Sequence, residues 1–374
     1  MRADVLTASL RANPIFYADG QLVPYGTDSV RKPDGPTQYD INVSHPLDYS
    51  HKRQARTEYA SRALKVIEAQ YQNEVRLAIG NLYAAYVDVL AAREDIRALR
   101  ASIAGLNEVV RIHQEQYEKK AGTSADVDQA KSEREIAEVG LLDAQEVLLK
   151  RKRVLGEILN LPPEETERLE LRGKLSEAGP PIPAVNELYQ LAQDYRPDLA
   201  SFRLGVQAAS ANVKLQQANR FSDAYLLYQP YTFQNNAPYG RFSGTSWALG
   251  ITVPLPLYNR NQGNIDRARI NVTQSQQQLA YLERRLATEV QQAVGEYRSS
   301  GQIVQRVRER VLPGLKHAYE TRLELFREGE ANKFVYLDAQ RKYNETVKAY
   351  LDSLARHRRS MLDMNTVVGQ RILP

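Results

Sequence analysis

Seven heptad positions in unbroken succession dominate this sequence: Val75, Leu82, Val89, Ile96, Ile103, Val110 and Tyr117. Three residues after the first six come Ala78, Ala85, Ala92, Leu99, Leu106 and His113. A seam sustained this long specifies a helix that packs in coiled-coil fashion. Neither Gly nor Pro occurs between His51 and Arg76, so the helix is predicted to start near His51 and to end near Lys119. At 1.5 Å per residue it is a rod about 100 Å long, which no compact globular domain contains. A second seam follows at Val290, Tyr297, Val304, Val311, Ala318 and Leu325, with Pro313 inside it. Proline removes a helix donor, so this helix is expected to kink or loosen there.

Each rod ends in a short turn that leads into another helix. The first turn is Ala121-Gly122-Thr123-Ser124 before a helix from Ala125 to Leu159, and the second is Glu328-Gly329-Glu330-Ala331-Asn332 before one from Phe334 to Met364. Gly as helix stop and a small polar residue as the next cap make both αα-hairpins. Before each rod the period changes to two. Tyr39, Ile41 and Val43 alternate with Asp40 and Asn42, and Trp247, Leu249, Ile251 and Val253 alternate with Ser246, Ala248, Gly250 and Thr252. Upstream partners at 15–23 and 224–233 bring the expectation to four strands in two hairpins.

The two halves match as a repeat. Ile41-Asn42-Val43-Ser44-His45-Pro46-Leu47 aligns with Ile251-Thr252-Val253-Pro254-Leu255-Pro256-Leu257, and Glu74-Val75 aligns with Glu289-Val290. The predicted fold is mainly α with a small β part, in a duplicated strand–strand–long helix–helix pattern. Residues 1–160 form the first repeat. Residues 161–195 are a Pro/Gly-rich linker with one short strand near Leu169-Glu170-Leu171, residues 196–366 the second repeat, and 367–374 a tail. Helices are expected at 186–194 and 197–219. The helix preceding the third strand has only a remnant as counterpart, 1–13, where Ala3-Asp4-Val5 resembles Ala211-Asn212-Val213. Arg2, Asp4 and Arg11 leave no room for a signal peptide there. The expectation is that the natural start, with an export signal and a helix, lies upstream.

Composition removes several classes. No uninterrupted apolar run approaches the roughly 20 residues a spanning helix requires; the nearest, Leu82–Ala92, contains Asp88. A polytopic helical membrane protein is therefore excluded. With no cysteine there are no disulfides, thiolate metal sites or thiol nucleophiles. A net charge of +5 from 50 basic and 45 acidic residues gives little support for a nucleic-acid partner. The basic runs Lys150-Arg151-Lys152-Arg153 and Arg356-His357-Arg358-Arg359 read as solvated helix faces. The histidines are scattered, His113 reads as a polar knob in the seam and Met361 and Met364 as packing, so no catalytic, cofactor or metal constellation emerges.

The ordered motifs resemble those of TolC-family outer-membrane efflux proteins over essentially the whole chain. They are Arg196-Pro197-Asp198-Leu199, Pro254-Leu255-Pro256-Leu257-Tyr258-Asn259-Arg260-Asn261-Gln262-Gly263, Leu312-Pro313, Phe326-x-x-Gly329 and Asp338-Ala339-Gln340. The Asn-Arg-Asn-Gln-Gly stretch is similar to the heavy-metal branch. The resemblance implies a homotrimer with a twelve-stranded β-barrel in the outer membrane and a twelve-helix tunnel (an α-barrel) in the periplasm. It also implies docking to a periplasmic adaptor, or membrane-fusion protein, and to an inner-membrane pump of the RND type. The expected function is passive export of small solutes or metal ions through a duct, with no enzymatic activity. A periplasmic adaptor or a coiled-coil scaffold is the alternative. The first turn departs from the family, because Gly122 comes later than in Tyr-x-x-Gly.

Within that frame the expected lipid face of the barrel is Tyr39, Ile41, Val43, Trp247, Leu249, Ile251 and Val253, and the expected lumen residues are Asp40, Asn42 and Thr252. Tyr39, Tyr49, Trp247 and Tyr258, near the ends of the expected strands, are candidates for an aromatic girdle. Adaptor contact and gating are expected at Tyr117, Gly122, Thr123 and Ser124 in the first turn. In the second they are expected at Phe326, Arg327, Glu328, Gly329, Glu330, Ala331, Asn332 and Lys333, with Arg327 or Lys333 pairing with Glu328 or Glu330.

Overall fold

The computed structural model describes residues 1–21, 37–175, 179–237, 240–328 and 333–374. Their order is α1 (Arg2–Ser9), β1 (Ile15–Gln21), β2 (Thr37–Leu47), α2 (Lys52–Glu118), α3 (Ser124–Ile158), α4 (Pro163–Arg168), α5 (Val185–Tyr195), α6 (Pro197–Ala218), β3 (Ala224–Asn235), β4 (Gly244–Thr252), α7 (Gln262–Arg306), a π-turn (Val307–Val311), α8 (Leu312–Arg327) and α9 (Lys333–Val368). The chain divides into two compact units, one of Met1–Tyr71 with Asp198–Leu282 and one of Gln72–Pro197 with Glu283–Pro374.

The first unit carries an antiparallel sheet in the order β1-β2-β3-β4. A bulge in β3 sets Gln229 and Pro230 against Asn42 alone, since Ile41 pairs with Tyr231 and Val43 with Tyr228. Pro230 has no N–H to donate, and a bulge is where a sheet tolerates that loss. The helices of this unit bury Ala8, Ala208, Ala211 and Ala268, small residues that let backbones approach closely. Lys214 pairs with Glu58 at 3.2 Å, and Arg62 meets Gln207 at 2.5 Å. Both long helices are entered through a residue with positive φ, His51 (59°) and Asn261 (58°), at equivalent points of the two repeats.

The second unit contains only helices and connecting segments among its described residues. One cluster joins Ala85, Val89 and Leu155 with Leu82, Leu148, Leu169 and Leu171. The expected strand at Leu169-Glu170-Leu171 is absent. This segment runs extended without a ladder partner, and its backbone is held by side chains of α2 instead. Arg93 donates to the carbonyls of Leu171 and Gly173, the latter at 2.7 Å, and Tyr86 donates to that of Arg172. By length and composition α2 is apolar enough to cross a membrane, with an 18-residue window of mean hydropathy 1.3. Ala85, Val87, Val89, Leu90, Ala92 and Ile96 are buried along this helix, although only 28% of that window is buried. Asp88 within that stretch binds Arg359 Nε at 2.7 Å and Arg151 Nη1 at 3.0 Å.

The second seam changes register. Val290, Tyr297 and Val304 are buried, whereas Val311 and Leu325 are 38% and 36% exposed and Phe326 only 3%. The π-turn at Val307–Val311 inserts one extra residue per turn and moves the apolar stripe along by one position. Its cause is Pro313, which cannot donate to the carbonyl four residues back. The expected loosening is therefore present, and it relocates the seam from Leu325 to Phe326.

Candidate functional site

The sheet register sorts the strand residues into two chemically distinct faces. Phe16, Ile41, Val43, Leu226, Tyr228, Tyr231, Phe233, Trp247, Leu249 and Ile251 share one face with Tyr39. Trp247, Leu249 and Ile251 are 71%, 64% and 64% exposed, which leaves an apolar surface uncovered within one chain. Asp40, Asn42, Gln229, Thr232 and Thr252 share the opposite face. There Asp40 accepts from Gln38 Nε2 at 2.7 Å and from Gln229 Nε2 at 3.0 Å. Val253 lies one residue past β4, and Trp247 sits in mid-strand because β4 begins at Gly244 rather than Ser246. Tyr39 stacks on Phe233 at 6.4 Å, Tyr49 lies against Phe221 at 6.0 Å, and Tyr258 is exposed. Among the described residues, the outer edges of β1 and β4 have no strand partner.

At the first hairpin turn Lys120, not Gly122, adopts the left-handed conformation, with φ 57°. Ala121 N donates to Gln116 O and Lys120 N to Tyr117 O, the paired bonds that close a helix end. Thr123 and Asp126 then form a reciprocal capping box before Ser124. Tyr117 is exposed. At the second turn Gly329, Glu330, Ala331 and Asn332 lie outside the described residues, and α9 begins at Lys333. Phe326 is buried with Val109, Val110, Ile112, Ala130 and Tyr336. Its ring stacks on Tyr336 at 5.3 Å and meets His113 at the same distance, and Tyr319 stacks on Tyr343 at 5.5 Å. Burial pushes the Tyr336 phenol above its ordinary range.

Arg327 engages Glu108 at 3.3 Å instead of Glu328. Consecutive helix positions do not face each other, whereas α2 presents a carboxylate across the hairpins. Glu108 also accepts from Arg111 at 2.7 Å, and these guanidinium bonds hold its carboxyl below the usual range. These pairs are exposed and are worth about 0–1 kcal/mol each.

The basic runs are not simply solvated. Arg151 and Arg359 converge on Asp88, Arg153 pairs with Glu167 at 3.3 Å, and Arg356 binds Glu296 through both nitrogens at 2.6 and 2.9 Å. His357 is buried with Tyr297, and its Nδ1 lies 3.0 Å from Ser300 Oγ. A Cβ on Gly301 would stand 3.1 Å from the His357 ring, so glycine there lets the imidazole in. Burial, then the charge of Arg358, lowers the His357 pKa. The unfolded chain then binds the proton better, so stability is lost as pH falls from about 6.5 toward the lower folded value. Thermal melts between pH 7.5 and pH 5 are expected to show a larger loss for the natural chain than for His357→Gln.

Sequence reasoning quoted Arg196 only as part of a motif. Arg196 is 6% exposed; its Nη1 is 2.6 Å from Glu289 Oε2, and Arg285 Nε is 2.7 Å from the other oxygen. The available signal was the repeated Glu-Val pair. Met361 and Met364 are fully buried. Among the described residues no group of three or more His, Asp or Glu is arranged to hold a metal ion.

The chain thus combines an open antiparallel sheet that has one exposed apolar face with long helical hairpins. The family model described as outer membrane efflux protein matches residues 29–160 and 188–370, and the chain belongs to that family. It is 24% identical to the cobalt-zinc-cadmium resistance protein CzcC of Cupriavidus metallidurans, over 92% of this chain and 79% of that one. It is also 24% identical to the pyoverdine export outer membrane protein OpmQ of Pseudomonas aeruginosa, over 65% of this chain and 51% of that protein. Its fold matches the outer membrane protein VceC of Vibrio cholerae with a TM-score of 0.79, at 18% identity over 99% and 90% of the two chains. CusC matches with 0.75, at 18% identity over 99% and 86%. The chain is thus an outer-membrane efflux protein of TolC-family fold, and its family and fold are those of channel proteins.

Proposed function

We propose that three copies of this chain close a twelve-stranded barrel in the outer membrane and a twelve-helix tunnel below it. The assembly is a passive duct for small solutes or metal ions leaving the periplasm. The observation that carries the proposal is the four-stranded sheet whose two edges have no strand partner among the described residues and whose apolar face is uncovered. A bilayer leaves no water to satisfy an open edge, so β4 of one copy pairs with β1 of the next until the barrel closes. Tyr39, Ile41, Val43, Trp247, Leu249 and Ile251 then meet lipid, with Val253 just beyond, while Asp40, Asn42 and Thr252 line the lumen. β2, β3 and β4, of 11, 12 and 9 residues, are close to the ~9–11 that a tilted spanning strand needs, and β1, with 7, is shorter.

The helical hairpins supply the docking tips for a periplasmic adaptor, which links the duct to an energised inner-membrane pump of the RND type. The first tip offers Tyr117, Gly122, Thr123 and Ser124. The second offers Arg327 and Glu328 together with 329–333. Similarity to CzcC and OpmQ supports an efflux system and leaves metal ions and small organic solutes both as cargo. Ile251→Arg is expected to destabilise the membrane-inserted form by roughly 2–4 kcal/mol near the bilayer midplane. Thr252→Arg, on the lumen side, is expected to do much less. Denaturant titration in lipid vesicles tests this, and equal losses at the two positions would overturn the assignment of faces.

A further inference from the structure

We propose that the foot of the sheet, where β2 passes into α2, binds the phosphate of an anionic phospholipid headgroup. A cavity of about 350 Å³ opens there, within the first unit, and Arg11, His45, His51, Arg53 and Arg56 line it. All five are exposed. The two carboxylates at the cavity are already engaged. Asp48 accepts from the backbone N–H groups of Lys52 and Arg53 at 2.7 and 2.9 Å, and Asp223 pairs with Lys52 Nζ at 2.8 Å. Arg56 donates to the carbonyls of Ala8 and Leu10, both at 2.9 Å, and Arg53 approaches the Ser9 carbonyl at 3.5 Å. These acceptors are neutral, and among the described residues no carboxylate is in ion-pair range of Arg11, Arg53 or Arg56; with Lys52 set against Asp48 and Asp223, the lining carries a net positive charge.

Place and chemistry together select the ligand. A guanidinium fork matches phosphate oxygens, and a cluster of such forks at an interface attracts anionic headgroups. This foot is also where the exposed apolar sheet face gives out. Tyr49 and Phe221 pack together there, and Leu255, Leu257 and Tyr258 follow β4 with 72%, 63% and 92% exposure. Interfacial aromatics beside cations and below an apolar band form the profile of a membrane–water boundary. A headgroup phosphate in the cavity leaves its acyl chains running up the apolar face. The site thereby fixes the depth at which the sheet sits in the bilayer. This rests on the membrane-duct proposal above.

The test is native mass spectrometry of the detergent-solubilised protein with phosphatidylglycerol, with diacylglycerol as the phosphate-free lipid, and with inorganic phosphate as competitor. Arg56 also holds the end of α1, so the variant is Arg11→Gln with Arg53→Gln. The natural protein is expected to retain phosphatidylglycerol over diacylglycerol, and each guanidinium removed should weaken it by about tenfold. Diacylglycerol binding should not change, and millimolar inorganic phosphate should leave the lipid bound. Equal phosphatidylglycerol binding by both proteins would overturn the site. Displacement by inorganic phosphate would overturn the lipid in favour of a small anion. A protein soluble and folded without detergent would overturn the membrane reading itself, whereas a detergent-dependent particle with unaltered lipid binding overturns this site alone.

Discussion

Arg196→Ala is expected to cost about 1–3 kcal/mol of stability, less than for a wholly buried ion pair, because Glu289 is part-exposed and keeps Arg285. The loss comes less from the attraction surrendered than from Glu289, which keeps its charge with one guanidinium fewer. Glu289 holds Arg196 at 2.6 Å and Arg285 at 2.7 Å on separate oxygens, so the truncation leaves it only the more exposed partner. Replacing both groups by apolar side chains, as in Arg196→Met with Glu289→Leu, should recover much of the loss, because no charge is then left with a partner missing. Denaturant unfolding of the solubilised protein measures both. A single variant within 1 kcal/mol of the natural chain would mean that water reaches the pair.

Phe326→Ala is expected to be more damaging, at about 3–5 kcal/mol, because a fully packed ring leaves a cavity that its neighbours fill only in part. Its stacking on Tyr336 and its contact with His113 add to the loss. The neighbouring Leu325→Ala should cost far less, since Leu325 is 36% exposed. The pair of variants therefore measures the seam shift made by the π-turn. If Leu325 proved the costlier position, the uninterrupted heptad would hold in solution.

The long helices were legible because heptad spacing, Gly and Pro positions and capping residues are local signals. Lys52–Glu118 and Ser124–Ile158 fall within a residue or so of the boundaries that those signals indicate. Strand faces were legible for the same reason, as alternation is fixed by the pleat. What escaped was whatever depends on a partner distant in sequence. Pro313 announced a disturbance, but the heptad spacing alone did not say whether the helix would bend or take in an extra residue. Leu169-Glu170-Leu171 has strand-like composition, yet a strand requires a ladder, and α2 offers only side chains. Asp88 looked like an interruption of an apolar run, but two arginines from remote basic runs converge on it. At the first turn a small polar cap was legible, and it is Thr123, one residue before the Ser124 that a helix start at Ala125 implies. Arg327 was legible as a charge, but not as the partner of Glu108.

The central claim is that β4 of one copy pairs with β1 of the next and that the circuit closes at three. The chain has no cysteine, so any introduced pair reports without background. Tyr17→Cys in β1 and either Ala248→Cys or Gly250→Cys in β4 place both thiols on the polar face of the sheet. Neighbouring strands bring such positions within disulfide reach in one register or the next. After oxidation in membranes, denaturing electrophoresis is expected to show linked dimers and trimers and nothing larger. A ladder running past three chains, or no cross-link with either partner, would contradict a closed trimeric barrel.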